Sequence, residues 1–536
     1  MALQSTEAQS SAADDRPLDE TWTDAAAAQP GKVAVLVAHG MGQQVPFETI
    51  DLVSRLLHRT LLDGVGPDAP IVTRFVRLPG NRVVPRAEIV ADLPEGRTEV
   101  HVYEAYWAPL TEGAVTLRDV AMFLARAGAS AFLTGSWFRF DRFLFNDWQS
   151  YPVGPSTALR LLEALAAFAA LSILNVAIVV GTVGWALSPR GGWPPTTLLD
   201  AWTADLLLFG VPMALTSLTL WLVALRERDR RYRATARRRP GGRLGDAGNV
   251  LLHLTMLLLI TAGVLAALHA VGLVRTPFAG FGGRLAPTSR FLVWTGALAV
   301  SVVLRWFLVE FVGDVAAYVS APWLDRFNRL RDAIKKTAVD VGQGVYANRT
   351  YEHVVVLGHS LGSVVAYDVL NGLINDDLLA SAAPGGRPRD VVARTRTLVT
   401  FGSPLDKTAF IFRRQGGSSH AVREALAAAV QPIVVRDAWR PGRWINIWSR
   451  RDWISGPLEY YDRPGESRHI DRRTVGEALA AIAAAPPGHV CNVVDPDARM
   501  PVLAHVQYWT NPLLAKCLAA AVIPPPSPPA AGGRAA

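Results

Sequence analysis

The most informative segment of the sequence is His353-Val354-Val355-Val356-Leu357-Gly358-His359-Ser360-Leu361-Gly362-Ser363-Val364-Val365. A β-branched apolar run leads into Gly-x-Ser-x-Gly and then into an apolar helical pattern. Continuous hydrophobicity is typical of a strand buried on both faces of a parallel sheet. A serine at so sharp a strand-to-helix turn is strained, and glycines two residues to either side remove side chains that would collide. The pattern predicts that Ser360 projects its hydroxyl into a cleft at the amino end of a helix.

Similar strand and helix patterns recur elsewhere in the chain. Short apolar runs rich in β-branched residues cover 32–38, 397–401 and 444–448, and each is followed closely by Gly, Ser or Asp. Helical patterns cover 47–62 and 363–373. Buried strands that alternate with helices predict an α/β fold with a mostly parallel sheet and helices on both faces. Active residues are then expected at the carboxyl ends of the strands.

A nucleophilic serine needs a histidine base and an acid that orients the base, and this kind of fold places them later in the chain in the order acid, histidine. Asp452 follows the run 444–448 and is the favoured acid. Two other acidic residues compete with it. Asp406 follows the preceding apolar run, and Glu459 lies further along the chain.

The histidine base is expected after the last strand, which the sequence predicts over 489–494. His505 is the last histidine of the chain and has this position. His469 and His489 are the alternatives, and an ordinary core or surface role is the competing interpretation of His505 itself.

An acyl-transfer site also needs donors for a tetrahedral oxyanion. The backbone N–H of Leu361, next to the serine, is one expected donor. The second is expected from the loop after an early strand, where the sequence has His39-Gly40-Met41-Gly42. Glycines there let the backbone approach a substrate, so the Met41 N–H is the predicted second donor.

These residues resemble a known family, the α/β-hydrolase lipases, and are most similar to intracellular phospholipases of the DDHD-domain type. The segments that carry the resemblance are 358–363 followed by Tyr367-Asp368, 401–405, 446–458 with Asp452, and His505 with Tyr508-Trp509. The resemblance spans about 351–509 plus the His39-Gly40 loop. It implies a serine acyl hydrolase acting on lipid esters, with Ser360, Asp452 and His505 as triad. In that family an acidic residue usually follows the Tyr-Trp pair, whereas Thr510-Asn511-Pro512 follows here.

The middle of the chain contains apolar stretches that are not part of this family's pattern. Four of them, over 164–187, 206–225, 249–274 and 291–312, approach or exceed the roughly 20 residues that a transmembrane helix needs. His253 and His269 interrupt the third stretch, and Arg305 and Glu310 interrupt the fourth, for which a buried soluble helix is the alternative. The sequence predicts four membrane spans inserted between the oxyanion loop and the serine.

The distribution of charge predicts how the chain is oriented in the membrane. Nine arginines lie between 226 and 248 against three acidic residues, which gives 9 − 3 = +6 in one loop flanked by apolar stretches. This is the signature of a cytoplasmic loop rather than of a nucleic-acid surface, and no nucleic-acid partner is expected. If the parts of the chain before and after the predicted spans form one domain, they lie on the same side of the membrane. The number of membrane crossings is then even. Both termini and the catalytic domain are therefore predicted to face the cytoplasm.

Residues 137–145, Trp-Phe-Arg-Phe-Asp-Arg-Phe-Leu-Phe, precede the first predicted span. Aromatic side chains interleaved with arginines predict a helix that lies in the headgroup region of a membrane. A helix of the soluble core is the alternative.

Composition excludes other classes of protein. Half of the 536 residues are hydrophobic and 19% are charged, which excludes a disordered or collagen-like chain. Cys491 and Cys517 are the only cysteines, which fits a reducing compartment. No Cys/His cluster has zinc-ligand spacing and no phosphate-binding lysine loop occurs, so neither a metal nor a cofactor is expected.

Together these patterns predict an α/β-hydrolase domain interrupted by a four-helix transmembrane insertion. The predicted parts are a disordered tail (1–30), the first part of the hydrolase domain (31–136), the interfacial segment and membrane domain (137–315), the second part of the hydrolase domain (316–523) and a second tail (524–536). The expected function is a multi-pass, membrane-anchored serine hydrolase that cleaves carboxyl esters of membrane lipids. A thioesterase or protein deacylase with the same triad, and an inactive membrane scaffold with a hydrolase fold, are the alternatives.

Overall fold

The structure is a computed structural model. It describes residues 28–40, 45–62, 70–79, 82–93, 96–111, 139–152, 318, 325–414, 420–452, 454–472, 474–499 and 504–523. Its central element is a nine-stranded sheet with strand order β10-β11-β9-β8-β7-β1-β4-β3-β2. The strands of this sheet are β1 (Gln29–Ala38), β2 (Val72–Leu78), β3 (Arg82–Leu93), β4 (Gly96–Ala105), β7 (Tyr351–His359), β8 (Thr395–Phe401), β9 (Arg443–Trp448), β10 (Arg468–Ile470) and β11 (Val490–Val494).

The sheet is mixed but mostly parallel. Every pair from β4 through β1, β7, β8, β9 and β11 to β10 is parallel, and β3 is antiparallel to both of its neighbours. The four predicted strands coincide with β1, β7, β8 and β9, and the predicted last strand coincides with β11. An α/β fold with a mostly parallel sheet is therefore confirmed.

Helices cover both faces of the sheet. Among the described residues they are α1 (Glu48–Leu61), α2 (Ala108–Thr111), α3 (Asp325–Ala347), α4 (Leu361–Ala382), α5 (Val391–Arg394), α6 (Leu405–Arg414), α7 (His420–Ala429), α8 (Val475–Ala484), α9 (Ala504–Gln507) and α10 (Pro512–Val522). Short 3₁₀ turns occupy Pro432–Val434, Asp437–Trp439, Glu459–Tyr461 and Tyr508–Thr510. The predicted helical patterns at 47–62 and 363–373 lie on α1 and α4.

Two apolar layers form the core, one on each face. Helices α3 and α4 pack their buried residues, such as Val341 and Val365, on one face of the sheet. Helices α1, α8 and α10 cover the other face with residues such as Val53, Ile482 and Leu514. Because both faces are covered, the central strands carry continuous apolar runs, which is the pattern that the sequence shows.

The sheet joins two parts of the chain that are far apart in sequence. Strands β1 to β4 precede the predicted membrane insertion and β7 to β11 follow it, yet β1 pairs with β7 through Val35 opposite Val355. One folded body therefore includes residues from both sides of the insertion.

The prediction of an interfacial helix over 137–145 is wrong for residues 139–145, which the structure describes. Residues Arg139–Leu144 form strand β5, which pairs with β6 (Asp147–Pro152) in an antiparallel hairpin. Phe145 and Asn146 have φ of 53° and 60° at the turn, as two-residue hairpin turns require. Along β5 the buried side chains of Phe140, Arg142 and Leu144 alternate with the partly exposed Asp141 and Phe143. Burial thus has the period of a strand, but the inward-facing Arg142 removes the matching alternation of apolar and charged residues from the sequence.

The predicted membrane spans lie outside the described residues, as do most residues of both predicted tails. Among the helices that the structure describes, none is both long enough and apolar enough to cross a bilayer.

Candidate active site

Ser360 lies at the turn between β7 and α4. Its backbone has φ 53° and ψ −129°, a conformation that L-residues rarely adopt. The turn is held to the neighbouring strand because the Ser360 N–H donates to the Phe401 carbonyl at 3.0 Å. A non-glycine residue in such a conformation costs on the order of 1–3 kcal/mol and marks functional sites. The strained serine predicted from Gly-x-Ser-x-Gly is therefore present in the structure.

The two flanking glycines are needed because other backbone occupies the space of a side chain. A Cβ atom on Gly358 would lie 2.5 Å from the Ser363 Cα. A Cβ atom on Gly362 would overlap the carbonyl oxygens of Ala38 and His39. Gly362 thus lets the first turn of α4 press against the end of β1.

We expect Gly362→Ala to disrupt the site. The added methyl must push β1 away from α4, since both colliding atoms are backbone. A loss of roughly 2–4 kcal/mol in the free energy of unfolding is expected from such overpacking. Thermal unfolding of the purified full chain measures it.

Gly476→Ala on α8 is the matched control, because a Cβ atom there would meet nothing within 4 Å. This variant is expected to keep or slightly increase stability, since alanine favours a helix over glycine by up to about 1 kcal/mol. Equal stability of the two variants would contradict the packing described for Gly362.

Asp452, His505 and Ser360 form one hydrogen-bonded chain. The Ser360 Oγ lies 2.8 Å from the His505 Nε2, and the His505 Nδ1 lies 2.9 Å from the Asp452 Oδ2. The carboxylate can only accept, so Nδ1 carries a proton and Nε2 is free to accept the serine proton. Asp452 follows β9 and His505 lies on α9, near the carboxyl edge of the sheet.

The environment of Asp452 keeps it ionised. Burial alone would raise its pKa, but the nearby His505 and donated hydrogen bonds outweigh burial and lower the pKa to about 2. The Ile454 N–H donates to Oδ1 at 2.9 Å, and the Tyr508 hydroxyl donates to Oδ2 at 2.9 Å. A buried carboxylate with these donors has a fixed orientation and a negative charge at neutral pH.

The competing acids and bases have other partners. Asp406 is partly buried beside Lys407, with 3.3 Å between the Oδ2 and Nζ atoms, and desolvation raises its pKa. Glu459 lies 3.4 Å from His469 near the surface, so these two alternatives contact each other. The His489 Nδ1 lies 3.6 Å from Asp462. Within the described ranges, the structure brings Asp452 and His505 to Ser360 and places these alternatives elsewhere.

The predicted oxyanion loop begins beside Ser360. A Cβ atom on Gly40 would lie 3.2 Å from the Ser360 Cβ, so glycine allows the close approach of this loop. Leu361 is the first residue of α4, and the amide of a first helical residue has no partner within the helix. Its N–H is therefore available as an oxyanion donor. Met41 and Gly42 lie outside the described residues, and the Met41 N–H stays a prediction.

His39 fixes the start of this loop. Its Nδ1–H donates to the Gly40 carbonyl at 2.9 Å, and its Nε2 accepts the Trp107 N–H at 3.0 Å. Burial lowers the pKa of His39 to about 4, so the ring is neutral and can both donate and accept. Its ring also stacks on Trp107, with 4.5 Å between the centroids. His39 therefore has a structural role in the loop, which the sequence analysis did not specify.

Sequence reasoning also missed His359, the residue before the serine. Its Nε2–H donates to the backbone carbonyl of His505 at 3.2 Å, and its ring stacks on Phe401 with 4.8 Å between centroids. Burial and the neighbouring His505 lower the pKa of His359 to about 3, so it acts as a neutral donor. The only sequence signal was its place inside Gly-x-Ser-x-Gly, which indicates proximity but no partner.

One group of residues in the described part of the chain approaches metal-ligand spacing. Asp462, Glu466 and His489 have ligand atoms within 4.8 Å of one another. The buried Asp462 carboxylate, however, is paired with the Arg440 guanidinium and accepts the Val490 N–H at 2.7 Å. A guanidinium on the central carboxylate makes this an ion-pair cluster, and its chemistry does not fit a metal site.

Comparison with known proteins assigns no family. No protein-family model matches the sequence, no curated protein matches it, and no solved structure matches the chain. The class that the geometry defines is therefore an α/β protein with a mostly parallel sheet and a Ser-His-Asp hydrogen-bonded chain at the turn after β7.

Proposed function

We propose that the chain is a serine hydrolase of the α/β-hydrolase type that cleaves carboxyl esters of membrane lipids. The observation that carries the proposal is the continuous hydrogen bonding from Asp452 through His505 to the strained Ser360. Such a chain at a strand-to-helix turn is the arrangement that activates a serine for acyl transfer. The packing holds three residues from distant parts of the sequence in this geometry. Such packing is unexpected around a serine that has no function.

The reaction follows from the positions of the protons. The Ser360 Oγ attacks the ester carbonyl carbon while its proton passes to the His505 Nε2, and Asp452 stabilises the imidazolium. The Leu361 N–H, together with the predicted Met41 donor, would bind the oxyanion. When the tetrahedral intermediate collapses, Nε2 returns the proton to the leaving alcohol and Ser360 carries the acyl group. A water molecule then repeats the sequence, releasing the carboxylic acid and restoring the serine.

The membrane-lipid part of the proposal is supported by the sequence of the insertion. Four apolar stretches and an arginine-rich loop occupy 164–312, and they would anchor the hydrolase domain at a bilayer with both termini in the cytoplasm. One sheet contains strands from both sides of the insertion, so an even number of crossings would return the chain to its own domain. Anchoring would hold the cleft near the headgroups, where glycerophospholipid and lysophospholipid esters are concentrated.

A substrate panel with the purified full chain tests this proposal. Hydrolysis of phospholipid and lysophospholipid esters in vesicles is compared with that of a short water-soluble ester, and an acyl thioester is the fourth substrate. We expect the lipid esters to have the highest kcat/KM, with Ser360→Ala as the blank. Preference for the soluble ester without any gain from vesicles would remove the lipid assignment. Preference for the thioester would favour a thioesterase or protein deacylase, and no turnover of any substrate would favour a scaffold.

A further inference from the structure

Tyr508 contacts the carboxylate oxygen that orients the base. Its side chain is fully buried, and its hydroxyl lies 2.9 Å from the Asp452 Oδ2 and 3.0 Å from the Ser455 Oγ. The same Oδ2 accepts the His505 Nδ1–H. Two donors, one from an imidazole and one from a phenol, therefore share one oxygen atom.

The direction of each hydrogen bond follows from the number of protons. An ionised carboxylate has none, so the Tyr508 hydroxyl donates its single proton to Asp452. Ser455 must then donate its own proton to the Tyr508 oxygen. Burial and the adjacent Asp452 raise the pKa of Tyr508 well above its ordinary value, which keeps the phenol protonated and able to donate. The bonds form a directed chain from Ser455 through Tyr508 to Asp452.

The surrounding residues hold Tyr508 and Ser455 in place. Gly402 has φ 59°, and a Cβ atom there would lie 3.2 Å from ring atoms of both Tyr508 and His505. The absence of a side chain at Gly402 thus lets the two rings lie against the same strand end. On the other side, the Lys407 Nζ donates to the Ser455 carbonyl at 3.1 Å. The tyrosine is therefore fixed from the strand and from the loop after Asp452.

We propose that Tyr508, held by Ser455, is a positioning residue for the acyl-transfer reaction: it fixes the Asp452 oxygen that orients His505 and weakens the attraction of that oxygen for the imidazolium. The inference rests on the proposed function. A carboxylate that already accepts a hydrogen bond attracts a neighbouring cation less strongly, because part of its charge is neutralised. Tyr508 would thus moderate the ion pair that Asp452 forms with the imidazolium.

Other charged or titratable groups lie near Tyr508 and His505, and the variants in the test leave them unchanged. His359 lies against His505 with 5.1 Å between ring centroids and is neutral because burial lowers its pKa to about 3. Asp495 acts on Tyr508 electrostatically, and the Asp406–Lys407 pair lies behind Ser455. In the described structure Asp452, unlike these groups, bonds directly to both Tyr508 and His505.

The variant Tyr508→Phe removes the hydroxyl and keeps the ring. Since the carboxylate then attracts the imidazolium more strongly, the acidic limb of the pH–rate profile should move up by about half a pH unit or more. The plateau rate should fall about three- to tenfold, because Asp452 loses one of its fixed donors. Ser455→Ala should move the limb in the same direction, because it removes the donor to Tyr508 and a hydroxyl that also lowers the pKa of Asp452.

The test measures the second-order rate at which an alkyl fluorophosphonate inactivates the full-length protein between about pH 5 and pH 9. Tyr346→Phe is the matched control: Tyr346 is also fully buried, and its hydroxyl lies 2.6 Å from the Thr395 Oγ1 at the opposite end of β8. We expect the limb to move in Tyr508→Phe and Ser455→Ala but not in Tyr346→Phe.

The possible results separate this inference from the proposed function. An upward shift in both variants supports the inference. A lower plateau with an unmoved limb in both variants would show a merely structural role and overturn it. If Tyr508→Phe fails to fold, Ser455→Ala decides alone by the same criterion. A folded wild-type protein that never reacts would overturn the proposed function, and the inference with it.

Discussion

Ser360→Ala is expected to lower kcat/KM for ester hydrolysis by at least about 10⁴-fold. The variant lacks the Oγ atom that lies 2.8 Å from the His505 Nε2, so no acyl-enzyme can form. Residual activity would come only from oxyanion stabilisation of direct water attack. Initial rates with the best ester of the substrate panel measure this loss.

A second serine on the same helix provides the control. Ser381 is exposed near the end of α4, and its hydroxyl donates to the Asp377 carbonyl. Ser381→Ala should keep wild-type activity within about twofold, as surface substitutions usually do. Activity of Ser360→Ala within tenfold of wild type, in a protein that unfolds at the wild-type temperature, would exclude Ser360 as the nucleophile.

Asp452→Asn is expected to lower kcat/KM by about 10³- to 10⁴-fold while the fold is kept. An amide has the shape of a carboxylate but no negative charge. If its NH₂ group faces His505, it donates to Nδ1, and the proton of the imidazole then lies on Nε2. The base cannot accept the Ser360 proton in that tautomer. The loss thus comes from the position of one proton.

Glu459→Gln is the matched control for the acid. Glu459 is the competing acid nearest the surface, where it lies beside His469. We expect this variant to hydrolyse the ester at the wild-type rate within about twofold. If Glu459→Gln lost more activity than Asp452→Asn, the choice of acid would be wrong. The rates are measured at several pH values, because Asp452→Asn also removes the attraction between the Asp452 carboxylate and the His505 imidazolium.

The strands of the core were predictable because their hydrophobicity is local and continuous. Residues 32–38, 397–401 and 444–448 lie on β1, β8 and β9, and the Gly-x-Ser-x-Gly turn follows β7. The sequence alone did not indicate that β4 lies between β1 and β3, since strand order depends on long-range pairing. The hairpin at 139–152 was missed because the buried Arg142 interrupts the apolar face of β5, so the sequence shows no clear strand alternation there.

The candidate site was predictable in part for a geometric reason. In a parallel sheet the carboxyl ends of strands meet at one edge, so residues that follow separate strands, such as Ser360 and Asp452, are expected to lie close together. The sequence left Asp406 and Glu459 open, because the choice depends on side-chain partners such as Lys407. The roles of His359 and Tyr508 depend on ring orientation and burial, which no spacing rule gives.

The central claim is that Ser360 is an activated nucleophile. The most direct test is to label the detergent-solubilised full chain with a fluorophosphonate probe, and to locate the modified residue by peptide mass spectrometry in wild type and in Ser360→Ala. The account predicts one modified residue, Ser360, and no labelling of the variant. A folded wild-type protein that stays unlabelled, or a label that persists in Ser360→Ala, would contradict it.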